Sequence, residues 1–244
     1  MTNKYIYFVA NWKMFGNLKT LNSLNKVTSF VKKSKRDKFK IIYCPPATLL
    51  SPLNDRLKKT SIKLGAQNCH ESENYGAFTG QLNSNMLKAV GARYVILGHS
   101  ENRQLGESDN LINKKINSSI KSGLKIIFCI GETLTQKRKK LTKKILSYQI
   151  TQGLKKIKNK KNIIVAYEPV WSIGSGVIPK KNEIVENVNF IKDKIKGIKV
   201  LYGGSVNGKN INLLKKINNL DGFLIGGASQ NSNNFIDIIK KTFN

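Results

Sequence analysis

A carboxylate that a strand delivers onto a closing loop can be dried, and so made more basic, when a ligand binds, and Glu168 stands in that position. Ahead of it runs the apolar, β-rich stretch Ile163 to Tyr167. Behind it come Pro169-Val170-Trp171 and then Gly174-Ser175-Gly176, a stiff hinge followed by a pliable tip. A base beneath a lid suits chemistry in which water must be kept from a reactive intermediate. Three other groups complete such a centre. Lys13 offers a fixed positive charge, with Glu101 as the expected partner that balances it. His99 and Asn11 can stabilise an oxygen that becomes an enediolate while Glu168 takes a proton from the carbon beside a carbonyl. Gly204-Ser205 and Gly226-Gly227, with Gly174 from the lid, expose main-chain amides that can cradle a phosphate. This chemistry needs no cofactor and no metal. The sequence has no GxxxxGK[ST] loop and no GxGxxG after its first strand, so nucleotide chemistry has no support. Taken singly, each residue has an ordinary reading: a solvated turn lysine, a satisfied structural histidine, a tight glycine turn. Their placement together is the argument.

That placement depends on the elements around them. Short β-rich runs alternate with helix-like stretches eight times: Tyr5 to Ala10, Lys40 to Cys44, Ile62 to Ala66, Tyr94 to Leu97, Lys125 to Ile130, Ile163 to Tyr167, Lys199 to Tyr202 and Gly222 to Ile225. The runs are apolar on both faces, as parallel strands covered by helices must be. Helical patterns include Leu18 to Val31, Asp109 to Ser122 with Asp109 as N-cap, Gln136 to Ile157 and Glu183 to Ile195. Eight β-α units with no long linker predict an α/β fold, an eight-stranded parallel (β/α)8 barrel formed by residues 1–244 as one domain. A doubly wound open sheet is the alternative. In a barrel the candidate residues fall one after another on the rim at the C-terminal ends of the strands, where such folds hold their chemistry.

Composition narrows the class further. A chain of 244 residues is long enough to bury roughly three quarters of its unfolded surface in one core. The N-terminal apolar run, Tyr5 to Ala10, is too short for a signal sequence or a membrane span, and the odd set Cys44, Cys69 and Cys129 argues for reduced thiols in a cytoplasm. A net charge of +29 invites a nucleic-acid reading. The basic residues are nearly all lysine, only five being arginine, and they spread over most helical segments without interleaved aromatic residues. Base readers rely on arginine forks and stacking platforms, so specific nucleic-acid binding is not expected.

Nine ordered strings carry a resemblance: FVANWKMFG from Phe8, GAQNC from Gly65, YGAFTG from Tyr75, YVILGHSE from Tyr94, GES from Gly106, CIGET from Cys129, AYEPVWSIGSG from Ala166, LYGGSV from Leu201 and DGFLIGGAS from Asp221. Along essentially its whole length the chain resembles the triosephosphate isomerase family. The resemblance implies a TIM barrel that interconverts dihydroxyacetone phosphate and D-glyceraldehyde 3-phosphate. It implies Glu168 as base, His99 as neutral electrophile, Lys13 and Asn11 as substrate contacts, and phosphate held near Gly174, Ser205, Gly226 and Gly227. It further implies a homodimer in which the loop from Gln67 to Gln81 enters the partner and Thr79 approaches the partner's catalytic residues. Another phosphate-binding barrel enzyme would share the late glycines but not the combined Asn11, Lys13, His99 and Glu168 set. Departures from the family pattern are Ser172, Ser175, Val177 and Ile178-Pro179 in the lid, Gln81 for an acidic residue, Asn102 for an arginine, and Gln230 for a leucine. Gln81 and Asn102 replace a pair expected to meet across the dimer interface.

Overall fold

A computed structural model describes residues 5–34 and 38–244; the first four residues of the N-terminal stretch lie outside it. Eight parallel strands close into a barrel in sequence order: β1 Ile6–Asn11, β2 Phe39–Cys44, β3 Lys63–Ala66, β4 Tyr94–Leu97, β5 Lys125–Ile130, β6 Ile163–Tyr167, β7 Lys199–Tyr202 and β8 Gly222–Ile225. Every strand falls within a residue or so of the run that predicts it. The open-sheet alternative is excluded, because β1 pairs with β8 with Tyr7 opposite Gly222. Gly222 has a φ of +150° and a side chain there would land 2.1 Å from the Tyr7 carbonyl, so only glycine lets the last strand lie against the first.

The strand period of two separates two apolar layers. Val9, Ile42, Cys44, Ile96, Ile127 and Cys129 belong to the set that fills the barrel interior. Their neighbours in sequence, among them Phe8, Tyr43, Val95, Phe128 and Val165, pack outward against the helices. Gly65 leaves room for a neighbour: a Cβ there would sit 2.6 Å from Cys44 Sγ. The three cysteines are free and buried. Burial pushes the thiols of Cys44 and Cys129 far up, and that of Cys69 up to about 11.

The helices depart further from expectation. Leu18 to Val31 divides into a 3-10 turn, Thr20–Ser23, and the helix Leu24–Lys33. Ser108, not Asp109, caps the helix Asp109–Lys121: its side chain accepts from the Leu111 amide, and Asp109 in the first turn is engaged by Arg103 Nη1 at 2.6 Å. Both residue types cap well, and the position one step earlier has the extended backbone a cap needs. The predicted helix Gln136 to Ile157 is two, Leu134–Arg138 and Thr142–Gly153, broken where Lys140 takes a left-handed φ of +58°. Glu183 to Ile195 appears as Lys181–Lys194. Among the described residues no helix is long and apolar enough to cross a membrane.

Candidate active site

The chain leaves β1 through a strained turn that neighbouring side chains hold in place. Trp12 is buried, meets Tyr43 edge-on at 5.7 Å between ring centroids, and donates its indole N–H to the Ser229 carbonyl at 3.1 Å. Lys13 follows with a left-handed φ of +56°, a conformation that costs a non-glycine residue about 1 to 3 kcal/mol unless its surroundings enforce it. They do so from several sides. The Lys13 amide donates to Asn11 Oδ1 at 3.1 Å, Gln67 Nε2 donates to the Lys13 carbonyl at 2.9 Å, and Gln230 Nε2 donates to the Trp12 carbonyl at 3.0 Å. Gln230, a departure from the family pattern, thus has a structural task. The turn aims Lys13 Nζ at Glu101, 2.6 Å away, as the sequence leads one to expect.

His99 follows β4, and its Nδ1 accepts the Glu101 amide at 3.3 Å. A ring nitrogen that accepts carries no hydrogen in that bond, which leaves Nε2 as the nitrogen free to donate. Glu101 Oε2 also lies 3.5 Å from Nδ1, too far for a good hydrogen bond, and the Glu101 charge is already held by Lys13. Nε2 faces Glu168 Oε1 at 3.4 Å.

Glu168 is 2% exposed, and its Oε2 has no hydrogen-bond partner among the described residues. Burial pushes its carboxyl above the usual carboxylate range; hydrogen bonds from the Cys129 thiol and the Ser100 amide and the charge of Lys13 pull part of the way back. A buried carboxylate with a raised pKa and a spare oxygen is a stronger base than one in water. Gly203 makes room for it, since a Cβ there would lie 2.7 Å from Glu168 Cγ.

One cleft of about 220 Å³ is lined by Asn11, Lys13, His99, Glu168, Gly174, Gly204, Ser205, Gly226 and Gly227, all expected there from sequence, while Glu101 lies outside its lining. It can hold a molecule the size of a three-carbon phosphate, with the amide-rich turns after β7 and β8 on one side and the carboxylate and imidazole on the other. The lid begins with the turn Val170–Ser172, and its tip is exposed, with Gly174 and Gly176 at φ of +69° and +76°.

The sequence reading passed over the groups that anchor the lid. Glu132 is almost fully buried; its Oε1 accepts from Trp171 Nε1 at 3.0 Å and from the Tyr167 hydroxyl at 3.3 Å, and its carbonyl accepts from the Val170 amide at 3.0 Å. Lys137 Nζ lies 3.9 Å from the centroid of the Trp171 ring. Cys129 beside Glu168 was also assigned no part. The CIGET string contains both Cys129 and Glu132, but Cys129 inside β5 reads as ordinary core, and Glu132 two steps beyond the strand reads equally as turn or core.

Comparison with known proteins agrees with this geometry. The model of the family described as triosephosphate isomerase matches residues 6–242. A triosephosphate isomerase of Thermodesulfovibrio yellowstonii is 41% identical, over 98% of this chain and all of that protein. One of Zygosaccharomyces bailii is 38% identical over 96% of this chain and 97% of that protein. The crystal structure of triosephosphate isomerase from Bartonella henselae superposes with a TM-score of 0.89 at 34% identity, covering 98% of this chain and 99% of the other. With barrel, cleft and relatives in agreement over nearly every residue, the chain belongs to the triosephosphate isomerase family, enzymes that interconvert an aldose and a ketose.

Proposed function

We propose that Glu168, His99, Lys13 and Asn11 carry the interconversion of dihydroxyacetone phosphate and D-glyceraldehyde 3-phosphate in this chain, with Gly174, Ser205, Gly226 and Gly227 holding the phosphate. Glu168 removes a proton from the carbon next to the carbonyl. The electron pair left behind moves onto the carbonyl oxygen, where the His99 Nε2–H, the Asn11 amide and the Lys13 ammonium stabilise the enediolate charge. Glu168 then returns its proton to the neighbouring carbon, and the hydroxyl proton moves between the two oxygens, so atoms and charge balance with no outside oxidant. The single observation carrying this reading is the buried Glu168 carboxylate, one oxygen unpartnered among the described residues, facing a histidine whose other nitrogen is already an acceptor.

Glu168→Gln tests it, because the amide keeps the volume and cannot act as base. Turnover of glyceraldehyde 3-phosphate in a coupled assay is expected to fall by at least about 100-fold, toward the roughly 10,000-fold end typical of lost acid-base catalysis, while inorganic phosphate still binds. Near-normal turnover of the pure variant would overturn the assignment.

The chain works, in this proposal, as one barrel domain in a cytoplasmic homodimer, with no specific nucleic-acid partner. Supporting the dimer are large apolar side chains on the segments after β1, β3 and β4: Met14 is 99% exposed, Tyr75 77% and Leu105 86%. Apolar surface of this kind is normally covered by a partner. Residues 67–81 would enter the second subunit, bringing Thr79 toward its cleft. Three free, buried thiols accord with a reducing compartment.

A further inference from the structure

At Ser172 the sequence puts a hydroxyl where the family pattern has alanine, and the hydroxyl is fully buried at the root of the lid. Its Oγ donates to the Val177 carbonyl at 2.6 Å. A hydroxyl has one proton, so the Tyr202 hydroxyl, 3.0 Å away, is the donor in their bond, and the Ser205 amide makes a second, longer donation at 3.4 Å. One atom therefore joins the first turn of the lid to its tail, to the end of β7 and to an amide of the proposed phosphate cradle. The surroundings are tight: a Cβ on Gly204 would lie 2.2 Å from the Tyr202 hydroxyl and 2.7 Å from Ser172 Oγ. Ser175 knits the tip to the same root, donating to the Ser172 carbonyl and accepting from the Val177 amide, both at 3.2 Å.

The Ser205 amide has a single proton, which Ser172 and a substrate phosphate cannot both hold well. We propose that Ser172 is a positioning residue of the isomerase reaction: its hydroxyl holds the Ser205 amide and the lid's tail in the arrangement described above, and the phosphate moves the lid by taking that amide away. The inference rests on Ser205 as a phosphate contact. The exchange runs toward the phosphate, because a charge-assisted bond is shorter and stronger than a neutral one stretched to 3.4 Å. Once the amide has turned, the Ser172 hydroxyl loses one of the bonds that fix its direction, and its hold on Val177 loosens. Phosphate occupancy and lid position are thereby linked through one oxygen atom.

Ser172→Ala removes the competitor. Inorganic phosphate, titrated calorimetrically onto the intact ligand-free enzyme, is expected to bind about five-fold more tightly, the gain set by freeing one weak neutral hydrogen bond. The KM for glyceraldehyde 3-phosphate should fall with it, and the Ser205 amide should exchange faster with solvent when no ligand is present. Ser172→Cys, close in volume and a poor acceptor, should shift phosphate affinity the same way, and it serves if the alanine variant does not fold. A hydroxyl with a merely structural task would lower the melting temperature without tightening phosphate. Unchanged or weaker phosphate binding in a folded variant overturns the proposal. Should the wild-type enzyme turn over normally while its Ser205 amide ignores phosphate, the phosphate role of Ser205 fails instead.

Discussion

Adding one methyl group at Gly65 asks whether the barrel interior and the turn at Lys13 are mechanically one unit. The new Cβ would lie 2.6 Å from Cys44 Sγ and 3.3 Å from both Ile42 Cγ2 and Tyr94 Cβ. Ordinary contacts are roughly 3.5 to 4.0 Å, so the sulfur must move by about 1 Å in a filled interior. Overpacking of this kind costs about 1 to 3 kcal/mol. For a domain of this size that is a melting temperature lower by roughly 2 to 12 °C. The displacement has a route to the site. The Cys44 carbonyl accepts from the Trp12 amide at 3.1 Å and from Gln67 Nε2 at 2.8 Å, and the same Gln67 nitrogen holds the Lys13 carbonyl. Gly65→Ala should therefore raise KM, through Lys13, more than it lowers kcat. Cys44→Ala alone should destabilise by emptying the sulfur's place, yet combined with Gly65→Ala it should restore much of the stability and of the KM, since the second methyl occupies what the sulfur vacates. Thermal unfolding at fixed protein concentration, with steady-state kinetics on all four proteins, closes the cycle. Strictly additive losses, or a Gly65→Ala protein with unchanged melting temperature, would refute the reasoning.

Burial raises the folded-state pKa of Glu168, so the stability this group allows is fully present below the ordinary glutamate pKa and is lost as pH rises through the folded value. Glu168→Gln should accordingly melt higher than the wild type at neutral pH, with the gap closing in acid; a gap that widens in acid contradicts the assignment. By 15N NMR the His99 ring should show Nδ1 as the hydrogen-bond acceptor and the hydrogen on Nε2 in the liganded enzyme, and a hydrogen on Nδ1 there would refute the proposed donor role of Nε2. Across the proposed dimer interface Gln81 should meet Asn102, so Asn102→Arg should weaken dimerisation unless Gln81→Glu accompanies it, because a lone buried charge costs about 3 to 5 kcal/mol. Additive effects on dissociation would end that proposal.

The strands were legible because a parallel strand buried on both faces is a continuous apolar run, as in Tyr94 to Leu97 or Ile163 to Tyr167, bounded by polar residues or glycine. Helix boundaries were not, since no proline or glycine marks the break at Lys140 and a lysine takes the left-handed turn instead. The cleft residues could be placed together because strand ends share a rim. What remained hidden was the support behind them. That Gln67 and Gln230 bracket the Lys13 turn from β3 and β8, or that Glu132 reaches Trp171 in the hinge, follows from contacts between residues 39 to 218 positions apart, which no local pattern records.

The buried thiols give the barrel a built-in chemical clock. A thiol reagent attacks the thiolate, and Cys44 and Cys129 face the barrel interior with ionisation suppressed by burial, so neither reacts while the strands stay closed. Alkylation of either sulfur therefore counts openings of the sheet itself. Where reclosing is faster than the reagent, the labelling rate reports the free energy of opening; where the reagent is faster, it reports the rate at which the β1 to β8 ring comes apart.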